Sequence, residues 1–244
     1  MTKMQKRAVR IAAVILVLVL LAALGVRLYA ADYYHADETA AAALISNEAV
    51  SVELWENAAV FRPEAPVAGF IFYPGGKVEF TAYAPLLLSL AENGILCVLP
   101  EMPLNLAVLN INAANGVQAQ FPEIKNWYIG GHSLGGSMAA SYASQNAESF
   151  SGLILLASYS TSDLTESGLR VLSVYGSKDE VLNMEKYREN YAMLPEETTE
   201  TVIDGGNHAL FGSYGTQKGD GDAAISAQEQ LRLTSEAITE FILK

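Results

Sequence analysis

Gly131-His132-Ser133-Leu134-Gly135 is followed directly by Gly136. An apolar run, Trp127 to Gly131, leads into it, and a helical pattern of small residues, Leu134 to Gln145, leads out. A serine on such a strand-to-helix turn carries its hydroxyl beyond the strand end, where it can attack a carbonyl. The turn demands small neighbours, because side chains at 131 and 135 would collide with the turn and the neighbouring helix. The start of the helix aims partial positive charge at the site. The Leu134 N–H there can donate to an oxyanion.

A serine hydroxyl needs a base to take its proton. The chain has three histidines. His35 lies near the N-terminal apolar run and reads as a linker residue. His132 adjoins the serine on a turn where neighbours diverge, and reads as packing or pocket lining. His208 remains, in Asp204-Gly205-Gly206-Asn207-His208, just after the strand-like Thr198 to Ile203. The orienting carboxylate is read as Asp179, in Gly176-Ser177-Lys178-Asp179-Glu180, directly after the apolar run Arg170 to Tyr175. A carboxylate there would hold the imidazole and stabilise its charged form. A helix N-cap before Met184 is the other use for Asp179. Glu180, Asp163 and Glu101 are carboxylates in similar positions. The order Ser133, Asp179, His208 is one of the known triad orders. A second oxyanion donor is expected from Tyr73-Pro74-Gly75-Gly76-Lys77, at Gly76 or Lys77, since paired glycines let a backbone N–H approach a substrate oxygen. Gly75, His132, Tyr159 and Phe211 are expected to line the pocket.

These residues need a frame that brings distant segments to one edge. Strand-like runs are expected at Val50 to Trp55, Ala58 to Phe61, Ala68 to Tyr73, Ile95 to Leu99, Trp127 to Gly131, Gly152 to Ala157, Arg170 to Tyr175 and Thr198 to Ile203. The first two read as an antiparallel pair turning at Glu56-Asn57. Helices are expected at Tyr83 to Glu92, Leu134 to Gln145, Met184 to Met193 and Ala223 to Leu243. Nearly continuous apolar strands alternating with helices imply an α/β fold, a mostly parallel sheet covered on both faces. Ligands in such sheets bind outside the carboxyl ends of the strands. The glycine-rich Phe211 to Asp222 reads as a loop lining or covering the pocket, or as plain surface. Leu104, Leu106, Val108 and Leu109 read as an acyl-chain contact or as core.

Apolar residues make up 51% of the 244-residue chain and charged ones 17%, which excludes an intrinsically disordered protein. A formal charge of −12 argues against a nucleic-acid partner. A single cysteine, Cys97, excludes an internal disulfide and any multi-cysteine metal site. Charge is unevenly spread: Lys3, Lys6, Arg7, Arg10 and Arg27 fall in the first thirty residues, with no acid among them. Between Arg10 and Arg27 stands an uncharged apolar run, and residues 8–31 are long enough to cross a bilayer. The preceding basic residues favour a cytoplasmic N-terminus. The expectation is a single-pass cell-membrane anchor with the rest of the chain outside. A cleaved signal peptide is the rival, although cleavage after Ala30 or Ala31 would put Leu28 or Tyr29 at the −3 position.

GGHSLGG around Ser133, YGSKDEV around Asp179, GGNHALFGSYG around His208 and FYPGGKV around Gly75 together resemble the α/β-hydrolase superfamily over about residues 50–244. The chain looks most similar to small bacterial proteins related to dienelactone hydrolase. The resemblance implies an eight-stranded sheet with Ser133 at its centre, and hydrolysis through an acyl-enzyme without metal or organic cofactor. The domains expected are a membrane anchor or signal peptide over 1–31, a stalk over 32–46 and an α/β-hydrolase domain over 47–244. The expected activity is hydrolysis of small-molecule carboxylic esters or related acyl compounds. A non-catalytic surface binding module and an acyltransferase are the alternatives.

Overall fold

Ala68–Tyr73 is buried at all six positions, and so are Ile95–Pro100 and Trp127–His132. Strands without a solvent face belong in the middle of a sheet covered on both sides. The computed structural model, which describes residues 2–244, puts them there. Eight strands form one sheet: β1 (Val50–Trp55), β2 (Ala58–Pro63), β3 (Ala68–Tyr73), β4 (Ile95–Pro100), β5 (Trp127–His132), β6 (Gly152–Leu156), β7 (Arg170–Gly176) and β8 (Thr198–Ile203). Their spatial order is β1-β2-β4-β3-β5-β6-β7-β8. The β1–β2 and β2–β4 pairs are antiparallel and every later pair is parallel. After β3 the chain first adds β4 on one side, then returns to add β5 on the other. That reversal opens a crevice beyond the carboxyl ends of β3 and β5.

Alternation along β3 sends its side chains to two separate cores. Phe70 and Phe72 join the cluster that holds Leu87 and Leu90 of α3 (Ala84–Glu92) and Ile238 and Phe241 of α6 (Ala227–Leu243). Ile71 and Tyr73 join Ala139, Ala140 and Ala143 of α4 (Leu134–Gln145) on the opposite face. The small residues of α4 let it lie close against the sheet. Helix α5 (Met184–Tyr191) follows β7 and is capped by Asn183, whose side chain accepts from Lys186 N–H at 2.9 Å. It ends two residues short of the expected Met193. The last helix begins at Ala227 rather than Ala223, because Ser226 caps it and Ala224 N–H is donated to the Gly205 carbonyl at 2.7 Å.

The N-terminal unit is one long helix, α1 (Lys3–Ala31), opened by a capping box between Thr2 and Gln5. Its stretch Lys3–Tyr29 is long and apolar enough to cross a membrane. The sheet domain starts at Tyr34, earlier than the expected residue 47. Residues from 34 onward are therefore not a free stalk. Tyr34 N–H donates to the Lys77 carbonyl at 2.8 Å, a short helix α2 covers Glu38–Ala42, and Ala40 is fully buried. Alanines allow this close packing, and the same alanines made the segment read as a tether.

Candidate active site

The link from β5 to α4 places Ser133 at φ 52° and ψ −122°, a region that non-glycine residues occupy at a cost of about 1–3 kcal/mol. Its main chain is tied down on every side. Ser133 N–H donates to the Leu156 carbonyl at 2.9 Å, and Ser158 Oγ donates to the Ser133 carbonyl at 2.7 Å. Ser137 Oγ donates to the Tyr159 carbonyl at 2.7 Å. A Cβ on Gly131 or Gly135 would run into the Tyr73 carbonyl. The elbow is thus pressed against the end of β3, at the crevice.

The end of β7 carries the next part. Lys178 N–H donates to the Gly206 carbonyl at 2.8 Å, stitching the turn after β7 to the loop after β8. Asp179 Oδ1 accepts from Val181 N–H at 2.9 Å and from Leu182 N–H at 2.7 Å. Its Oδ2 lies 2.8 Å from His208 Nδ1. The Asp179 and His208 side chains are 1% and 2% exposed, so water does not compete for this bond. Asn183, not Asp179, caps the following helix. Asp163 accepts from its neighbour Thr165 in an exposed turn. His35 sits 3.5 Å from Glu79.

Three residues that carried no signal in the sequence hold His208. Asp220 accepts from His208 N–H at 3.2 Å and from Ala209 N–H at 2.8 Å. Gln230, fully buried on α6, accepts from Asn207 N–H at 3.0 Å and donates to the Asn207 carbonyl at 2.8 Å. Asn207 Nδ2 reaches the Gly221 carbonyl at 2.8 Å. The glycine-rich loop is therefore a clamp on the histidine turn. Gln230 shares the buried face of the last helix with Thr234, Ser235, Ile238 and Phe241, so no clean apolar stripe marks it in the sequence.

The loop after β3 shows which of the candidate backbone donors are already engaged. Lys77, at φ 59°, turns its N–H toward the Asn105 carbonyl and donates to it at 2.8 Å. The expectation for Lys77 is corrected on that ground, since its donor is committed. Gly75 N–H is committed as well, to the Tyr83 hydroxyl at 3.0 Å. Between them Gly76 is half-buried, and among the described residues neither its N–H nor that of Leu134 has a protein acceptor. A Cβ on Gly76 would lie 2.9 Å from Leu134 Cδ2, so the two candidate donors are neighbours.

His132, the residue before the serine, is buried with its ring centroid 4.5 Å from that of His208 and 5.6 Å from Phe211. Burial first, and the charge on His208 second, hold its imidazole well below the usual histidine range. Phe211 is buried and packs its ring on His132. Tyr159 contributes its carbonyl to the elbow. Among the described residues the Ser133 hydroxyl makes no hydrogen bond, to His208 or elsewhere. Catalytic hydrogen bonds are often long without substrate and tighten when it binds. Leu104, Val108 and Leu109 are exposed beside the site-bearing loop, not core. Among the described residues no three His, Cys, Asp or Glu side chains gather as a metal site.

Comparison with known proteins agrees with this fold. The profile of a family described as the alpha/beta hydrolase family matches residues 69–232. No curated protein matches the sequence significantly. Among solved structures, TT1662 from Thermus thermophilus is similar, with a TM-score of 0.58 and 15% identity, over 79% of this chain and 98% of that one. Est1E from Butyrivibrio proteoclasticus is similar at a TM-score of 0.57 and 15% identity, over 80% of this chain and 98% of its own. Est1E has also been solved with ferulic acid bound. At these identities the likeness concerns the fold.

Proposed function

Because the chain belongs to the alpha/beta hydrolase family, we propose that it is a serine hydrolase that cleaves carboxylic esters through an acyl-enzyme. The observation that carries this reading is the buried Asp179–His208 hydrogen bond of 2.8 Å, next to a strained serine elbow. With Nδ1 engaged by Asp179, the Nε2 of His208 is the nitrogen left to act as base. It takes the Ser133 proton as Oγ attacks the ester carbonyl. The oxyanion is held by Gly76 N–H and Leu134 N–H. His208 then protonates the leaving alcohol, and water hydrolyses the acyl-enzyme by the same steps in reverse. Asp179 stabilises the imidazolium in both halves. The fold neighbour Est1E, which accepts a carboxylic acid, supports ester chemistry by analogy of fold.

The long apolar helix supports anchoring in a membrane, and the basic residues before it support an outward-facing domain. The test of the enzyme is paired. A fluorophosphonate should label the wild type at Ser133, and Ser133→Ala should lose up to about 10⁶-fold in turnover of an activated ester. Undiminished turnover in Ser133→Ala refutes the mechanism. An unlabelled wild type favours a binding module. Transfer of the acyl group to an added alcohol, read by product analysis, would identify an acyltransferase.

A further inference from the structure

Tyr83 and His132 form a buried pair that the reaction as written does not use. Tyr83 Oη lies 2.8 Å from His132 Nδ1, and both side chains are buried. The same hydroxyl accepts from Gly75 N–H at 3.0 Å. The backbone closes tightly on the pair: a Cβ on Gly75 would sit 2.6 Å from Tyr83 Oη and 2.8 Å from His132 Nδ1. Proton accounting then assigns the tautomer. Gly75 N–H fills one acceptor site of the Tyr83 oxygen, and among the described residues His132 Nδ1 is the acceptor within reach of the phenolic hydrogen, so that hydrogen goes there. The remaining ring hydrogen is on Nε2, which is buried without a hydrogen-bond partner and faces the His208 main chain.

We infer that Tyr83 and His132 are positioning residues, a neutral hydrogen-bonded strut that sets the Gly76 oxyanion donor against the Ser133 elbow. The assignment rests on the proposed hydrolase reading. The strut runs from Gly75 to the Tyr83 hydroxyl, to the His132 ring, and through one peptide bond to Ser133. The loop is pinned on its other side by Lys77 N–H on the Asn105 carbonyl. With both flanking N–H groups held, Gly76 N–H is the one presented to a substrate oxygen. A donor held this way needs no reorganisation when negative charge develops, which is the source of oxyanion stabilisation. The ring of His132, 4.5 Å from that of His208, also braces the base. Buried and kept neutral, it adds no positive charge to oppose the imidazolium that forms on His208.

The test uses the full chain in detergent, with nitrophenyl acetate as substrate and a trifluoromethyl ketone as tetrahedral analogue. Removing an oxyanion donor costs about 10²–10³-fold, so misplacing one should cost about 30-fold. Tyr83→Phe is expected to lower kcat by about that factor with KM within about twofold, and to weaken the ketone in parallel. At position 132, asparagine keeps a polar atom where Nδ1 was and glutamine does not. His132→Asn should therefore recover much of the kcat and ketone affinity that His132→Gln loses. Thermal midpoints separate loss of fold from loss of position. If Tyr83→Phe keeps wild-type kcat and ketone affinity, the strut is overturned. Equal losses in His132→Asn and His132→Gln, with equal thermal midpoints, overturn it too. Absence of fluorophosphonate labelling in the wild type would instead overturn the hydrolase reading on which it rests.

Discussion

Asp220 offers the sharpest check on how His208 is held. Its carboxylate accepts from His208 N–H at 3.2 Å and Ala209 N–H at 2.8 Å, and it touches nothing that reacts. Hydrogen bonds to a charged acceptor contribute roughly 1.5–3 kcal/mol each. The site is half-buried, so water recovers part of that when the carboxylate is removed. A net loss of about 2 kcal/mol for Asp220→Ala is a fair figure. If the whole of it falls on the catalytic arrangement of the loop, kcat drops by about 30-fold, at 1.36 kcal/mol per decade. KM should stay within about twofold, because no substrate contact is lost. Asp220→Asn keeps an acceptor oxygen in place and should lie between the two, within about fivefold of wild type. Steady-state kinetics on an activated ester, with thermal midpoints alongside, measure all three proteins. Wild-type kcat in Asp220→Ala would refute the clamp. So would equal losses in the alanine and asparagine variants, since asparagine keeps one of the two accepting oxygens and alanine keeps neither.

The buried, neutral His132 makes stability depend on pH. Its folded pKa is depressed, so below about pH 6.5 the unfolded chain binds a proton that the folded chain does not, and stability falls as pH falls through that value. The slope from this group is at most about 1.36 kcal/mol per pH unit, and His132→Asn should flatten the thermal midpoint between pH 6.5 and 5 relative to wild type. A wild type and variant with parallel pH curves would contradict the assignment. For the N-terminal helix, the expected outcome is that the protein sediments with membranes, resists alkaline carbonate extraction, and retains its N-terminus on sequencing. A mature chain starting near Ala31 would mean that the helix is a cleaved signal.

Local chemistry made much of the site legible in one dimension. The G-x-S-x-G elbow, the carboxylate after an apolar strand and the histidine after a more polar one each follow short-range rules. Those rules depend on a strand's period, its end and the residue type that comes next. The limits of β3, α4 and β8 follow from the same rules and agree with the structure residue for residue. Short-range reasoning failed where partners lie far apart in the chain. Lys77 and Gly76 look alike as donors until Asn105, 28 residues on, claims the Lys77 N–H. The alanine-rich 34–46 looks like a tether until Val78 and Glu79 pair with Tyr34.

Composition and periodicity by themselves determine the class of fold and the apolar N-terminal helix, and motif and position single out three candidate side chains after strand ends. Those properties depend on the order of residues over a few turns. Which backbone N–H groups remain unclaimed, how the histidine loop is clamped by Asp220 and Gln230, and how Tyr83 meets His132 were decided only when the sheet closed. A hydrogen bond needs its donor and acceptor within about 3 Å of each other, and for residues dozens of positions apart only tertiary packing sets that distance.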